Sequence, residues 1–195
     1  MSSRESILNK VKANQPALTP VPDMTWATNG DNTNTFMTTL RSIGGNPVIV
    51  DNLGSIKESI RQTHGNVNLL AATREWQENM SSAQDSEQME QIEVAVIDGH
   101  VAVAENGAIW IDGDSTGHRV VPFICQHLVI VIDESSIVST MHEAYSRTDV
   151  SAPGFGVFIA GPSKTADIEQ ALVIGAHGAR SLTVYIRKAS FHSPG

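Results

Sequence analysis

The sequence predicts an α/β fold, a three-layer sandwich in which helices cover both faces of a mostly parallel sheet. Apolar segments at 47–51, 67–72 and 128–133 alternate with helical segments. Strands that are apolar throughout are typical of parallel sheets, because both of their faces are buried. A hydrophobic fraction of 41% in 195 residues is sufficient for one buried core.

Residues 1–30 are predicted to form an N-terminal helical arm. In the segment 2–13, Ile7, Leu8 and Val11 recur at helical spacing behind serines that can cap the helix. Three prolines then interrupt regular structure, so residues 14–30 are predicted to be an extended connector. Such an arm docks either on its own domain or on a partner, and the sequence leaves both open.

The other elements follow from periodicity and from turn residues. Helices are predicted at 31–43, 54–63, 135–147 and 163–177. Strands are predicted at 47–51, 67–72, 92–97, 101–104, 108–112, 128–133, 155–160 and 182–186. The segment 73–91 is predicted to be a solvated helix or loop, and 116–126 a short crossover. Asp98-Gly99 predicts a hairpin turn, and therefore an antiparallel pair within the sheet.

Composition argues against several classes of function. A net charge of −8 argues against a nucleic-acid binder, which needs a basic face, but not against a site for a small anion. The single cysteine, Cys125, cannot form an internal disulfide and is interpreted as a small buried hydrophobe rather than a reactive thiol. No run approaches the about 18–20 apolar residues of a membrane span. The expected location is the cytoplasm.

Glu105-Asn106-Gly107 is a polar step between two apolar runs. The simpler interpretation is a turn. The stronger interpretation is that the Glu105 carboxylate is reactive or binds a ligand. The polar loop 112–117 and His118-Arg119 follow the second run. They either complete an anion site beside Glu105 or form a solvent loop. No spacing of His, Cys and Asp predicts a metal site.

The segment Gly161–Glu169 (Gly-Pro-Ser-Lys-Thr-Ala-Asp-Ile-Glu) is interpreted as a turn after a strand, followed by a helix start. At the carboxyl edge of a parallel sheet, such a helix start presents free backbone N–H groups to ligands. Ser163 or Thr165 can cap the helix, and Lys164 can hold a phosphate or carboxylate. Asp167 either takes part in the site or stabilises the helix start through the dipole. An ordinary capped turn is the competing interpretation.

Together with Leu172–Gly178, this segment resembles the signature of the LUD domain family, also known as the lactate-utilisation protein C family. Ala104–Ala108 (Ala-Glu-Asn-Gly-Ala) occupies the position where that family has Ala-Glu-Thr-Gly-Thr. The resemblance covers roughly residues 31–187. It implies that residues 31–195 form a single LUD-type domain, similar in fold to the sugar-phosphate isomerase and CoA-transferase superfamily.

The resemblance also implies a function. It implies an accessory subunit of an iron–sulfur system that oxidises L-lactate to pyruvate, or that oxidises a related 2-hydroxy acid. The clusters are expected on iron–sulfur partner proteins, with no cofactor on this chain, and the resemblance does not assign catalysis to this chain. Glu105 is the candidate catalytic base or orienting carboxylate. The candidate ligands of a small anion are Asn106, Gly107, Gly161, Ser163, Lys164, Thr165 and Asp167.

An alternative comes from the same superfamily. Glu105-Asn106-Gly107 resembles the Glu-Asn-Gly step of CoA transferases, in which the glutamate attacks a thioester and forms an anhydride. The glycines that usually follow are replaced here by Ala108-Ile109-Trp110. The alternative function is a stand-alone CoA-transferase-like or sugar-phosphate-binding enzyme that uses Glu105. A ligand-sensing or structural module is the third possibility.

Overall fold

The computed structural model describes residues 2–20, 30–80, 86–148, 154–166, 172–175 and 177–188. The helices are α1 (Ser3–Ala13), α2 (Asn32–Ser42), α3 (Leu53–His64), α4 (Ser86–Met89), α5 (Val121–Ile124) and α6 (Met141–Arg147). The strands are β1 (Asn46–Val50), β2 (Leu69–Ala72), β3 (Gln77–Glu78), β4 (Val94–Asp98), β5 (Val101–Val103), β6 (Ile109–Asp112), β7 (His127–Asp133), β8 (Ile137–Val138), β9 (Gly156–Ile159), β10 (Lys164–Ala166), β11 (Leu172–Ile174) and β12 (Ser181–Arg187).

The N-terminal helix α1 is confirmed, and its capping follows from local sequence. Ser2 Oγ accepts a hydrogen bond from the Glu5 backbone at 3.3 Å, and Glu5 Oε2 accepts one from the Ser2 backbone at 2.7 Å. This reciprocal pair satisfies two donors that a helix start leaves open. No residue of α1 is buried, and Ile7 and Val11 are exposed. Part of the predicted connector, residues 21–29, lies outside the described residues.

The main sheet has the strand order β1-β12-β7-β4-β2-β3 in the described part of the chain. The first five strands are mutually parallel, with pairs such as Val96 with Val129 and Tyr185 with Val131. The short edge strand β3 is antiparallel to β2. The predicted α/β class and mostly parallel sheet are confirmed.

One face of the main sheet is covered by α3. Ile56 and Ile60 lie at i, i+4 on this helix, are almost fully buried, and pack with strand residues that include Val94, Val129 and Tyr185. The helix begins at the Asn52 cap, whose side chain accepts from the Ser55 backbone at 3.0 Å. The apolar stripe predicted over 54–63 therefore faces the sheet.

The opposite face is covered by a second sheet and by α2. The second sheet has the order β8-β5-β6-β9. Ile109 and Ile111 of β6 share one buried cluster with Phe36 and Leu40 of α2 and with Ile130 of the main sheet. Strands therefore replace helices over much of this face, and α6 packs on the outer side of the second sheet.

The predicted hairpin at Asp98-Gly99 is wrong. The Gly99 N–H still donates to the Val131 carbonyl of the main sheet at 2.8 Å, whereas the His100 N–H donates to the Trp110 carbonyl of the second sheet at 2.9 Å. The chain therefore passes from one sheet into the other within two residues. Both flanking strands are buried throughout, so their patterns did not show that they belong to different sheets.

The predicted helix over 135–147 is also largely wrong. Residues Glu134–Ser136 form a 3₁₀ turn, β8 follows, and α6 begins only after Thr140, whose side chain accepts from the Glu143 backbone at 3.3 Å. Ile137, Val138 and Thr140 are β-branched, which explains the difference, because such residues favour a strand. Ile137 and Val138 pair with β5.

The predicted helix over 163–177 is wrong where the structure describes it. Strands β10 and β11 form an antiparallel pair in which Thr165 lies opposite Val173. Residues 167–171 and residue 176 lie outside the described part, and so does the predicted site residue Asp167. The short apolar run 172–174 fits a strand as well as a helix, and periodicity alone cannot distinguish them.

Two histidines at the amino edge of the main sheet predict a dependence of stability on pH. The rings of His64 and His127 have centroids 4.6 Å apart. Burial, and then the neighbouring His127, hold the pKa of His64 below its usual 6.5, against a smaller opposing effect of Glu93. The unfolded chain therefore binds a proton more readily, and the folded state loses stability as the pH falls through about 6.5.

Urea unfolding at about pH 7.5 and about pH 5.5 measures this effect. The wild type is expected to lose free energy of unfolding at the lower pH, and His64→Gln is expected to lose less. His118→Gln, which removes an exposed histidine, is the matched control. An identical pH dependence in wild type and His64→Gln would contradict the assignment.

Candidate functional site

Glu105-Asn106-Gly107 forms the tight connection between β5 and β6. The Gly107 N–H donates to the Val103 carbonyl at 2.9 Å, and the Asn106 side chain accepts from the Ala108 backbone at 3.0 Å. Gly107 has a φ of 70°, a conformation that glycine adopts without steric cost. The motif is thus a turn, in which the Asn106 side chain binds the Ala108 N–H and Gly107 supplies the positive φ.

The carboxylate of Glu105 lies at the start of α6. Its Oε1 accepts a hydrogen bond from the Met141 backbone at 2.7 Å, and its own N–H donates to the Ser139 carbonyl at 3.2 Å. A carboxylate in this position satisfies an open backbone donor and is favoured by the partial positive charge of the helix start. Glu105 therefore joins the turn to α6, while remaining exposed to solvent.

The two predicted halves of the site meet at the carboxyl end of α2. Strands β6 and β9 pair Ile109 with Ile159, so the segments that precede β6 and follow β9 both begin from this pair. A Cβ on Gly107 would lie 3.1 Å from Ile43 Cδ1, and one on Gly161 would lie 2.9 Å from the Ile43 carbonyl oxygen. Both glycines are thus required for close packing against Ile43.

Lys164 reaches the same point. Its Nζ donates to the Ile43 carbonyl at 2.6 Å. Carbonyl groups at the end of a helix lack a partner within the helix and carry its partial negative charge, so the ammonium of Lys164 is favoured there. The predicted role of Lys164 in anion binding stays a prediction, because the side chain is exposed and retains further donors.

An apolar cleft of about 320 Å³ lies beside Gly161, Ser163 and Lys164. Most of its lining residues are apolar, and Ser163, Lys164 and His177 are its polar lining residues. The Ser163 N–H donates to the Ala179 carbonyl at 2.9 Å, so it is not the free donor that a helix start would have offered. Residues 105–107 do not line this cleft.

A second cleft, of about 290 Å³ and lined mainly by polar and charged residues, lies at the carboxyl edge of β2 and β4. Thr73 and Arg74 follow β2, Asp98 and His100 stand at the end of β4, and Asp112 ends β6. In open α/β sheets this edge is where ligands bind. We name this feature the carboxyl-edge cleft.

Asp112 holds His100 in the carboxyl-edge cleft. Asp112 Oδ2 lies 2.9 Å from His100 Nε2, and Asp112 Oδ1 accepts from both the N–H and the hydroxyl of Ser115, at 3.0 and 2.8 Å. Ser115 Oγ also lies 2.5 Å from His100 Nε2. Partial burial opposes ionisation of Asp112, but the Ser115 hydrogen bonds and nearby His100 outweigh it, so the pKa of Asp112 is lowered.

Asp98 holds Arg74 on the opposite side of the cleft. Its Oδ2 accepts from the Arg74 backbone at 2.7 Å and lies 3.5 Å from the Arg74 guanidinium Nε. The Asp98 side chain is only 9% exposed, whereas the Arg74 side chain is 68% exposed. The carboxylate is therefore used to orient the loop, and the guanidinium keeps an accessible end.

The LUD domain family matches residues 33–186 of this chain. The chain belongs to the LUD domain family. Relatives named "Lactate utilization protein C" are found in Bacillus velezensis, 30% identical over 149 residues, and in Anoxybacillus flavithermus, 28% identical over 148 residues. These matches cover 69% and 74% of this chain, but only 59% and 64% of the relatives. The chain thus spans less than two thirds of their length.

A solved structure confirms the fold of this LUD domain. A DUF162 family protein from Deinococcus radiodurans aligns with a TM-score of 0.63 at 16% sequence identity. The alignment covers 84% of this chain and all of the other. At this level of identity the likeness concerns the fold alone.

Sequence reasoning missed most of the carboxyl-edge cleft of this LUD domain. The loop 112–117 was identified as a candidate, and Asp112 and Ser115 do meet a histidine there. His100 and Arg74 were not identified, because each lies in a segment interpreted as a turn or a solvated loop. One feature of the sequence could have indicated them: each is a polar residue that follows a buried parallel strand within two residues.

Two further findings concern membranes and metals. None of the helices in the described ranges has the length and apolar character needed to cross a bilayer. Among the same described residues, no group of three or more His, Cys, Asp or Glu side chains is arranged to hold a metal ion.

Proposed function

We propose that this LUD domain protein is an accessory subunit of an iron–sulfur system that oxidises L-lactate to pyruvate, or a related 2-hydroxy acid to its 2-oxo acid. The observation that carries the proposal is the family match over residues 33–186, together with relatives named for lactate utilisation. In this role the chain acts with iron–sulfur proteins that carry the electrons.

The residues of this chain do not fit an iron–sulfur cluster, which supports placing the clusters on partners. A cluster held by thiolates usually needs four cysteines, and these 195 residues contain one. Cys125 is 2% exposed, and burial raises the pKa of its thiol to about 12. A neutral, buried thiol is a poor ligand for iron.

Co-purification tests the proposal. The tagged chain, isolated without oxygen from a cell that uses lactate, is expected to retain proteins that contain iron and acid-labile sulfide. Deletion of its gene is expected to abolish growth on lactate but not on glucose, and the intact gene is expected to restore it. Recovery of the chain alone, with unchanged growth on lactate after deletion, would overturn the proposal.

The CoA-transferase alternative makes a different prediction for Glu105. Its carboxylate accepts from the Met141 backbone at 2.7 Å, so it already has a structural role at the start of α6. We therefore expect no covalent adduct on Glu105 after incubation with acetyl-CoA and borohydride, as measured by mass spectrometry of peptides. An adduct that is present in the wild type and absent in Glu105→Gln would instead establish acyl transfer.

A further inference from the structure

We propose that the carboxyl-edge cleft binds a small carboxylate that carries a neighbouring hydroxyl group, a 2-hydroxy acid. Arg74 binds the carboxylate, and His100, oriented by Asp112, accepts a hydrogen bond from the hydroxyl. This inference rests on the proposed function for the choice of substrate class. The site itself is argued from the contacts of the cleft.

Arg74 is suited to the carboxylate. The Asp98 carboxylate fixes the Arg74 backbone at 2.7 Å and lies 3.5 Å from Nε, which leaves the terminal nitrogens as further donors. A guanidinium presents parallel N–H groups that match the two oxygens of a carboxylate. The 68% exposure of the Arg74 side chain allows a ligand from solvent to reach it.

His100 is suited to the hydroxyl. Its Nε2 lies within hydrogen-bond distance of Asp112 Oδ2 and Ser115 Oγ. Because Ser115 donates its own hydroxyl proton to Asp112, its oxygen accepts the Nε2–H. In the tautomer that donates from Nε2, Nδ1 carries the lone pair. A ring held in this way accepts a hydrogen bond from an alcohol.

Two contacts in the cleft favour a ligand that carries both groups. Asp98, Asp112 and Asp114 also line the cleft and repel any anion, so binding depends on the contacts that the ligand makes with Arg74 and His100. A neutral diol offers no carboxylate to the terminal nitrogens of the Arg74 guanidinium, whose Nε lies 3.5 Å from Asp98. A 2-hydroxy acid offers an anion to the guanidinium and a donor to His100, so it satisfies both sides of the cleft.

The apolar cleft beside Ser163 is less suited to this ligand. Most of its lining side chains are apolar, among them Phe123, Leu128 and Leu182. Its polar lining residues are Ser163, Lys164 and His177, and Lys164 Nζ already donates to the Ile43 carbonyl at 2.6 Å. Unpaired polar groups in such surroundings are unfavourable. The carboxyl-edge cleft, in contrast, contains hydrogen-bonding side chains at the end of each strand that forms it.

Calorimetric titration of the full chain with three small molecules tests the inference. L-lactate carries both groups, propionate lacks the hydroxyl, and 1,2-propanediol lacks the carboxylate. We expect L-lactate to bind about tenfold or more tightly than either of the others, because each lacks one polar partner. Equal binding of propionate, or no binding of L-lactate to the chain alone or with its co-purified partners, would overturn the inference.

Matched variants locate the binding. Arg74→Gln and His100→Gln are each expected to weaken L-lactate binding by about tenfold, and Arg74→Lys by less, since it keeps the charge but loses the planar donor pair. Arg61→Gln removes an equal charge from an exposed site on α3, where the Arg61 side chain is 78% exposed, and is expected to leave binding unchanged. Thermal unfolding confirms that each variant is folded.

The outcomes separate this inference from the proposed function. If iron–sulfur proteins co-purify with the chain but Arg74→Gln and His100→Gln bind L-lactate as the wild type does, the site is wrong and the accessory role stands. If L-lactate binding depends on both residues but no partner co-purifies and growth is unchanged, the site stands and the accessory role fails.

Discussion

Leu40→Ala is expected to lower the free energy of unfolding by about 2–5 kcal/mol, the range for removing a buried leucine side chain. Leu40 is 0% exposed and belongs to the cluster between the two sheets. The Gly45 N–H donates to its carbonyl at 2.9 Å, and a Cβ on Gly107 would lie 3.4 Å from its Cα. The cavity would therefore open where α2 supports the 105–107 turn.

Urea unfolding measures this effect, with Arg41→Ala as the matched control. Arg41 is the next residue of α2 and is exposed, so its replacement by alanine is expected to change stability by less than about 0.5 kcal/mol. A Leu40→Ala protein as stable as the Arg41→Ala protein would show that α2 does not anchor the second sheet. Its effect on the turn would be visible as changed amide shifts at Glu105 and Gly107.

Gly99→Ala is expected to destabilise the fold by about 1–3 kcal/mol or more, because it inserts a methyl group into a filled space. A Cβ at this position would lie 2.5 Å from Ile109 Cγ2, 2.8 Å from Ile132 Cγ2 and 2.9 Å from Ile130 Cγ2. Ile109 belongs to the second sheet and the other two to the main sheet. The substitution would thus push the two sheets apart where the chain passes between them.

Gly30→Ala is the control for this substitution. Among the described residues, apart from the chain neighbours of Gly30, no heavy atom lies within 4 Å of a Cβ built there. The expected effect is therefore small, or slightly stabilising because alanine lowers the conformational entropy of the unfolded chain. The comparison is made by thermal and urea unfolding. If the Gly99→Ala protein melts at the same temperature as the Gly30→Ala protein, the two sheets do not approach each other closely at Gly99.

The local features of this chain could be read from its residues because local chemistry decides them. Ser2 and Glu5 form the capping pair of α1, Asp31 caps α2, and Gly65 ends α3 with a φ of 72°. Each depends on neighbours within about one helical turn. The buried parallel strands were equally clear, since long apolar runs such as β7 have few other stable environments.

The candidate site was predicted in part. The sequence singled out 105–107 and the segment from Gly161, and the structure places Gly107 and Gly161 against the same residue, Ile43. It did not indicate that Glu105 would bind the α6 backbone, nor that Lys164 would bind the Ile43 carbonyl. Both partners are distant along the chain, 36 and 121 residues away, and spacing gives no information about them.

The sequence by itself determined the α/β class, the parallel strands of the main sheet and the LUD family resemblance that the comparisons confirmed. Only the tertiary structure decided which strands belong to which sheet and which polar residues share a cleft. Backbone pairing makes β10 and β11 antiparallel neighbours, and the passage of the chain between the sheets at Gly99 brings His100 to Asp112. These features depend on burial and hydrogen bonding between segments that are far apart in the sequence. Local propensity depends only on neighbouring residues, so it does not indicate them.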